Sequence, residues 1–413
     1  MITLDTNKNY WLYIFPHVYC CIRDDEALLY NTLNGANIIT DSQEIISILR
    51  SLHNRQNLGA VICKGNVLMQ DTYRQFIVEF CSNDMGDVAD LEKMPEKPVQ
   101  LMPVLNLQRD VDRKHNRDEL LLGENVLRYL TQLNIYLNSF CYQDCRFCDD
   151  YFRQNLCCQS SNSSKILNIS TVKNILMQIR YGAAGKINLL GGNIFAYPFF
   201  DSLTMFLTEF KERTRVWIHY ANFLNLEITI PDFHYEVPVT FPVKQKELEH
   251  TIDLLKDMQV KYRFFITKEE EYAETKSLAE KYEIVNFAIH PVYTKNNMAF
   301  FEEYVFTGAE DIFQPILSFR KIFAHQKLNT HFFGKLTIMP DGEIYANVNY
   351  PALGNISTDK LLNVISKELQ FNTAWRKIRN TQPCSDCLYQ YLCPSPSNYE
   401  AVIGKQNLCH IKK

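Results

Sequence analysis

Leu133-Asn-Ile-Tyr-Leu-Asn-Ser-Phe-Cys141-Tyr-Gln-Asp-Cys145-Arg-Phe-Cys148 is the stretch on which the reading of this chain turns. Its first six residues suit a short strand, and a loop with C-x3-C-x2-C spacing follows directly. Three thiolates on one compact loop are one too few for structural zinc, which takes four tetrahedral ligands. They are the right number for a cubane iron–sulfur cluster whose fourth iron keeps no protein ligand. An open iron can chelate a small molecule and pass one electron directly to it.

Strand and helix patterns alternate outward from this stretch. Strands are predicted over 133–138, 186–190, 215–220, 237–243, 262–267 and 284–292, and helices over 171–181, 200–212, 245–258 and 269–282. Asp201, Lys244 and Thr267 stand near the helix starts. Short apolar strands alternating with amphipathic helices predict a parallel α/β sheet with right-handed crossovers. Six units over about 160 residues are too few to close an eightfold barrel of about 250, so the expectation is a partial (β/α)6 barrel with its ligand at the C-terminal strand ends.

The flanks read differently. Residues 10–19 and 27–34 resemble strands joined by a polar turn at Arg23–Asp24–Asp25, and helices are predicted over 42–52 and from Asp71 onward. A β-ribbon followed by helices fits a small winged-helix-like module over 1–92. Three prolines and a charged run make 93–129 a linker. After the α/β region at 130–325, residues 326–413 begin with a predicted hairpin, 335–339 and 343–348, turning at Pro340-Asp-Gly342. A helix over 361–379 follows, and then the cysteine-rich tail Cys384-x2-Cys387-x5-Cys393-x15-Cys409. These four ligands would close a cluster, and by themselves they also suit zinc.

The chain has 413 residues, 46% of them hydrophobic and 13 of them cysteine, with a net charge of −4. This composition excludes a disordered chain and offers no overall electrostatic case for nucleic-acid binding. No apolar run approaches the ~18–20 residues that cross a bilayer, and no secretory pattern opens the sequence, so a cytoplasmic protein with no membrane partner is expected. In that setting the cysteine clusters read as metal or redox sites rather than disulfides. Cys20, Cys21, Cys63 and Cys81 read as small buried hydrophobes, and vicinal Cys157–Cys158 as inert packing or a resolving thiol.

The triplet, with Phe147 before its third cysteine, resembles the signature of the radical S-adenosylmethionine (SAM) superfamily. The resemblance implies that Cys141, Cys145 and Cys148 hold a [4Fe–4S] cluster whose open iron binds SAM, with reductive cleavage to a 5′-deoxyadenosyl radical that abstracts hydrogen. Leu189-Leu-Gly191-Gly192-Asn193 is similar to the family's Gly-Gly-Glu strand end, which holds the amino group of SAM, with Asn193 where a carboxylate is usual. His219 and Asn222, ending the third strand, and His290 in the sixth are further polar candidates. No motif names a general acid or base.

The tail, with Pro340-Asp-Gly-Glu-Ile-Tyr345 and Gly354-Asn-Ile356, resembles the SPASM domain of peptide-modifying radical SAM enzymes. Cys384, Cys387, Cys393 and Cys409 match one auxiliary [4Fe–4S] cluster. The other set is missing, with no cysteine at 345–347 and Ser397 where one is usual. The resemblance therefore implies a maturase of a ribosomally synthesised precursor peptide, whose leader is gripped by the N-terminal (PqqD-like) module through β-augmentation. An electron donor such as flavodoxin or ferredoxin is implied as well. The alternative is a non-catalytic pseudo-radical-SAM/SPASM protein that binds the precursor or a companion maturase.

Overall fold

The computed structural model describes residues 4–103, 126–160, 165–224, 226 and 229–411. Most of the expected linker, at 104–125, and residues 161–164 lie outside them.

The N-terminal part forms two three-stranded antiparallel sheets from β1 (Asn9–Ile14), β2 (Val18–Ile22), β3 (Ala27–Asn31), β4 (Asn37–Thr40), β5 (Ala60–Lys64) and β6 (Gly86–Asp90). Their orders are β5-β1-β6 and β2-β3-β4. The predicted strand over 10–19 is thus two strands in different sheets. Pro16 sits at the break, where its missing N–H and fixed φ favour the turn closed by Val18 N–H on Phe15 O at 3.1 Å. The hairpin is β2–β3, paired from Val18↔Asn31 to Ile22↔Ala27. Helix Gln43–His53 starts at Ser42, whose side chain accepts from Ile45 N–H, and buries Ile45, Ile46, Leu49 and Leu52. Helix Asp71–Ser82 follows.

The large sheet contains β7 (Gln132–Tyr136), β8 (Lys186–Leu190), β9 (Thr214–Trp217), β10 (His234–Thr240), β11 (Gln259–Ile266) and β12 (Phe287–Pro291), all parallel and in chain order. On the other side of β7 the order continues with β13 (Lys335–Ile338), β14 (Glu343–Tyr345) and β15 (Gly354–Asn355). Because the strand order never reverses, right-handed crossovers bring the connecting helices to one face. Alternation then divides each strand. Leu133, Ile135, Ile187, Leu189 and Val216 enter the main apolar core, while Gln132, Asn134, Tyr136, Asn188 and Trp217 line a cavity on the opposite face.

The predicted helix over 361–379 ends early, at Phe371. Asn372 adopts φ 53°, and the buried Glu368 carboxylate accepts from the N–H groups of Thr373, Ala374 and Trp375 at 2.9, 2.8 and 2.7 Å. The chain therefore wraps around this carboxylate instead of continuing as helix.

A separate apolar cluster joins the two ends of the chain: Tyr19, Leu28 and Tyr30 pack with Ile312, Leu317, Ile322, Leu388 and Leu392. Arg23 adds hydrogen bonds to Cys387 O at 3.2 Å and Gln390 Oε1 at 3.0 Å. Among the described residues no helix is long and apolar enough to cross a membrane.

Candidate functional site

The cysteine triplet leaves the C-terminal end of β7 and leads into helix Cys148–Gln154. Beside it runs the end of β8. Gly192 N–H donates to Asn138 Oδ1 at 3.1 Å, Asn193 N–H donates to Phe140 O, and Asn138 Nδ2 donates to Asn193 O at 2.9 Å. A Cβ on Gly191 would stand 2.5 Å from Asn138 Oδ1, and one on Gly192 would stand 2.2 Å from Phe140 O and 2.9 Å from Cys141 Cβ. The two glycines thus let the strand end cross the cysteine loop backbone to backbone. Asn138, which ties the two segments together, was not singled out in the sequence, where it looks like an ordinary polar strand end.

Each thiol of the triplet has a polar neighbour. Cys141 Sγ accepts from Gln143 N–H at 3.4 Å and from Asn222 Nδ2 at 3.8 Å, and Cys148 Sγ accepts from Ser160 N–H at 3.4 Å. Cys145 Sγ lies 4.0 Å from His219 Nε2. Burial is the main cause that raises all three thiols, Cys145 to about 12 and Cys148 to about 11, with nearby Cys158 adding to it. Without a cation they hold their protons, and a bound metal would displace them. Among the described residues no three His, Cys, Asp or Glu side chains are grouped to hold a single metal ion. Three thiols carried on one loop are the donor set that a four-iron cubane with one open iron takes, one thiolate per iron. The N–H groups aimed at sulfur are what such a cluster's thiolates accept.

Phe147 packs beside Cys145 and edge-on to Tyr151, with the Arg146 guanidinium 5.0 Å from its ring centre. Asn193 Oδ1 accepts from Phe195 N–H at 3.1 Å, capping the turn Ile194–Ala196. His219 is buried, accepts from Ala221 N–H at Nδ1, and sits 2.9 Å from Thr240 Oγ1. Burial, then Lys244, lowers it to about 3 and keeps it neutral.

The cavity on the polar face of the sheet is about 430 Å³, with a neighbouring chamber of about 170 Å³. Asn134 Oδ1 accepts from Gln132 Nε2 and Asn188 Nδ2 at 2.9 and 2.8 Å, and Asn188 Oδ1 accepts from Trp217 Nε1 at 3.0 Å. Arg263 pairs with Glu236 at 2.6 Å and lies 5.4 Å from the Trp217 ring centre. His290 faces Arg263 at 3.3 Å and stacks on Phe265. Of this lining only His290 stands out in the sequence; Asn134, Asn188, Trp217, Glu236 and Arg263 look like routine strand alternation.

Cys384, Cys387, Cys393 and Cys409 line one small cavity together with Arg379, Gln390 and Asn407. Arg379 Nη1 approaches Cys384 Sγ at 3.8 Å, and Asn407 Nδ2 approaches Cys409 Sγ at 3.3 Å. Burial pushes Cys393 up to about 12, with Arg379 pulling against it. Ser397 caps helix Asn398–Ile403 in a capping box with Glu400. A cleft of about 570 Å³ is lined by Val18, Tyr19 and Cys20 of β2, the outer strand of its sheet among the described residues, and by Phe319 and Phe323.

No family model matches the sequence, and no curated protein is significantly similar to it. Among solved structures the chain is similar to Streptococcus suis SuiB bound to S-adenosylmethionine, at 14% identity and a TM-score of 0.47. It is also similar to SuiB bound to precursor peptide SuiA, at 15% and 0.46. Each alignment covers 97% of this chain and 99% of that one. The tagged protein anSMEcpe with bound AdoMet is similar over 63% of this chain and 84% of its own, at 14% identity and a TM-score of 0.40.

Proposed function

We propose that this chain is a radical SAM maturase of a ribosomally made precursor peptide, built as a winged-helix-like module (1–92), a linker (93–129), a partial (β/α)6 barrel (130–325) and a SPASM-type domain (326–413). The observation that carries the reading is the triplet that follows β7, fastened to the glycine strand end of β8. Cys141, Cys145 and Cys148 would hold one [4Fe–4S] cluster. When bound, that group supplies the electron that cleaves SAM to a 5′-deoxyadenosyl radical. Cys384, Cys387, Cys393 and Cys409 would hold one auxiliary cluster.

The chain's own groups have separate tasks. Gln143, Ser160 and Asn222 donate to the cluster sulfurs, and Gly191 and Gly192 keep the SAM strand end against the loop. Tyr151, Phe265 and Val292 pack an apolar wall that excludes water behind the triplet. The cavity beyond takes the substrate's reacting side chain among Asn134, Tyr136 and His290. The edge of β2 would add the leader as a strand, its side chains entering the adjoining cleft.

Anaerobic reconstitution tests this reading: about eight irons per chain in two cubanes, with 5′-deoxyadenosine released from SAM under reductant. Cys148→Ala should abolish that release, whereas Cys387→Ala should keep part of it and block peptide modification. Asn193 favours a second reading, a non-catalytic partner of an active maturase, because its oxygen is spent on capping Phe195. About four irons that survive Cys141→Ala, with no SAM cleavage, would select that reading.

A further inference from the structure

The cations around the polar cavity have too few carboxylates to match them. Lys335, Gln132 and Lys186 are the first residues of β13, β7 and β8, and the register sets them side by side, Lys335 against Gln132 and Gln132 against Lys186. One strand further on, Arg215 of β9 pairs with Asn188. Lys335 lines the larger cavity, Lys186, Arg215 and Arg263 line the smaller chamber, and Gln132 lines both. Among the described residues Glu236 is the one carboxylate in either lining, and it is already paired with Arg263 at 2.6 Å. No acidic side chain among those residues pairs with Lys186, Lys335 or Arg215; Arg215 Nη1 donates to the carbonyls of Glu212 and Thr214, both at 3.0 Å. Lys335 and Arg215 are half-buried, and burial, then Lys186, lower the Lys335 amine.

Like charges gathered around one partly enclosed space repel, and a bound anion relieves that repulsion. Amines and guanidinium groups only donate, so they suit an acceptor that carries charge. We propose that a carboxylate carried by an acidic side chain of the peptide substrate binds beside Gln132, which both cavities share, with Lys335, Lys186 and Arg215 as its cations. The proposal rests on reading the chain as a peptide maturase. The two ends of β7, Gln132 and Tyr136, both line the larger cavity and stand about 13 Å apart at ~3.3 Å per residue. An extended peptide crosses that distance in about four residues. The acidic residue therefore lies about four positions from the one presented at the strand end from which the cysteine loop leaves.

Trp217, whose Nε1 donates to Asn188 in the chamber wall, reports binding without turnover. The full-length chain, isotope-labelled at its three tryptophans and assigned through Trp217→Phe, is titrated with short peptides while NMR follows the indole signals. One peptide is blocked at both ends around a central glutamate, the second carries glutamine instead, and the third is the glutamine peptide with a free terminal carboxylate. The glutamate peptide should shift the Trp217 signal saturably, and the glutamine peptide should bind about tenfold more weakly, as a neutral acceptor does beside a charged one. Lys335→Met and Arg215→Met should each weaken glutamate binding about tenfold, whereas Lys335→Arg should keep it. Unmoved Trp11 and Trp375 signals report that each variant is folded. Equal binding of the glutamate and glutamine peptides, or methionine variants that bind like wild type, overturns the proposal. Preference for the free terminus over the glutamate overturns the assignment to a side chain. The measurement needs neither iron nor SAM, so its failure is distinct from failure of the maturase reading, which the release of 5′-deoxyadenosine decides.

Discussion

Arg379 and Glu400 meet at 2.7 Å inside the cysteine-rich tail, with their side chains only 12% and 8% exposed. Arg379 also donates to Pro394 O at 2.5 Å and approaches the Cys384 sulfur, while Glu400 accepts from Ser397 N–H at 2.8 Å. One pair thus braces the loop that carries three of the four tail cysteines and the helix that follows. Removing one partner of a buried pair leaves the other charge uncompensated, at about 3–5 kcal/mol. Glu400→Gln should therefore lower the stability of the tail by about 3 kcal/mol and weaken its iron retention, as read by denaturant unfolding and iron content.

Gly192→Ala should separate the two proposed iron sites. Its Cβ would overlap Phe140 O and crowd Cys141 Cβ, neither of which is a flexible side-chain end, so the cysteine loop must move. About four irons per chain should remain, all in the tail, with 5′-deoxyadenosine formation lost. Full iron content with unchanged SAM cleavage would contradict this account of the glycine.

His290 makes stability depend on pH. Burial, and then Arg263 and Lys261, lower it to about 4, and Glu236 on the same face is already paired with Arg263. The unfolded chain takes up this proton near pH 6.5 and the folded chain does not, so stability falls as pH drops from about 6.5 toward 4. Between pH 7 and 5.5 the histidine should account for about 1 kcal/mol of lost stability. Urea unfolding of His290→Gln at the two pH values should show a correspondingly smaller loss.

Asn193 separates structure from cofactor binding. Loss of its cap on Phe195 N–H should make Asn193→Ala about 1 kcal/mol less stable, whereas Asn193→Asp keeps the cap and should melt like wild type. A carboxylate also meets the SAM ammonium more strongly than an amide does. Calorimetric titration should then show the aspartate variant binding SAM more tightly than wild type.

The alternation of strands and helices was legible because each parallel strand carries its own apolar run. Residues 186–190 form the strand expected of them, and the other strand boundaries differ by a few residues. The four tail cysteines, grouped in the sequence by their spacing, line one cavity together. What the sequence hid is long-range. Asn138 gains its role only when β7 and β8 pair, and Asn134 and Asn188 become a network only across strands. The split of residues 10–19 depends on which partners the two halves find, although Pro16 marks the break. The early end of the helix at Phe371 depends on where the Glu368 carboxylate can reach.

The hairpin β2–β3 rests on the tail through Tyr19, Leu28, Tyr30, Leu388 and Leu392, with Arg23 as its polar tie. The first hundred residues therefore act as a clasp on the last hundred. A fragment beginning after residue 103 would bare Ile312, Ile322, Leu388 and Leu392 together, a contiguous oily surface of the kind that makes soluble chains self-associate. Trimming the amino-terminal module would leave a sticky remnant rather than a simpler protein.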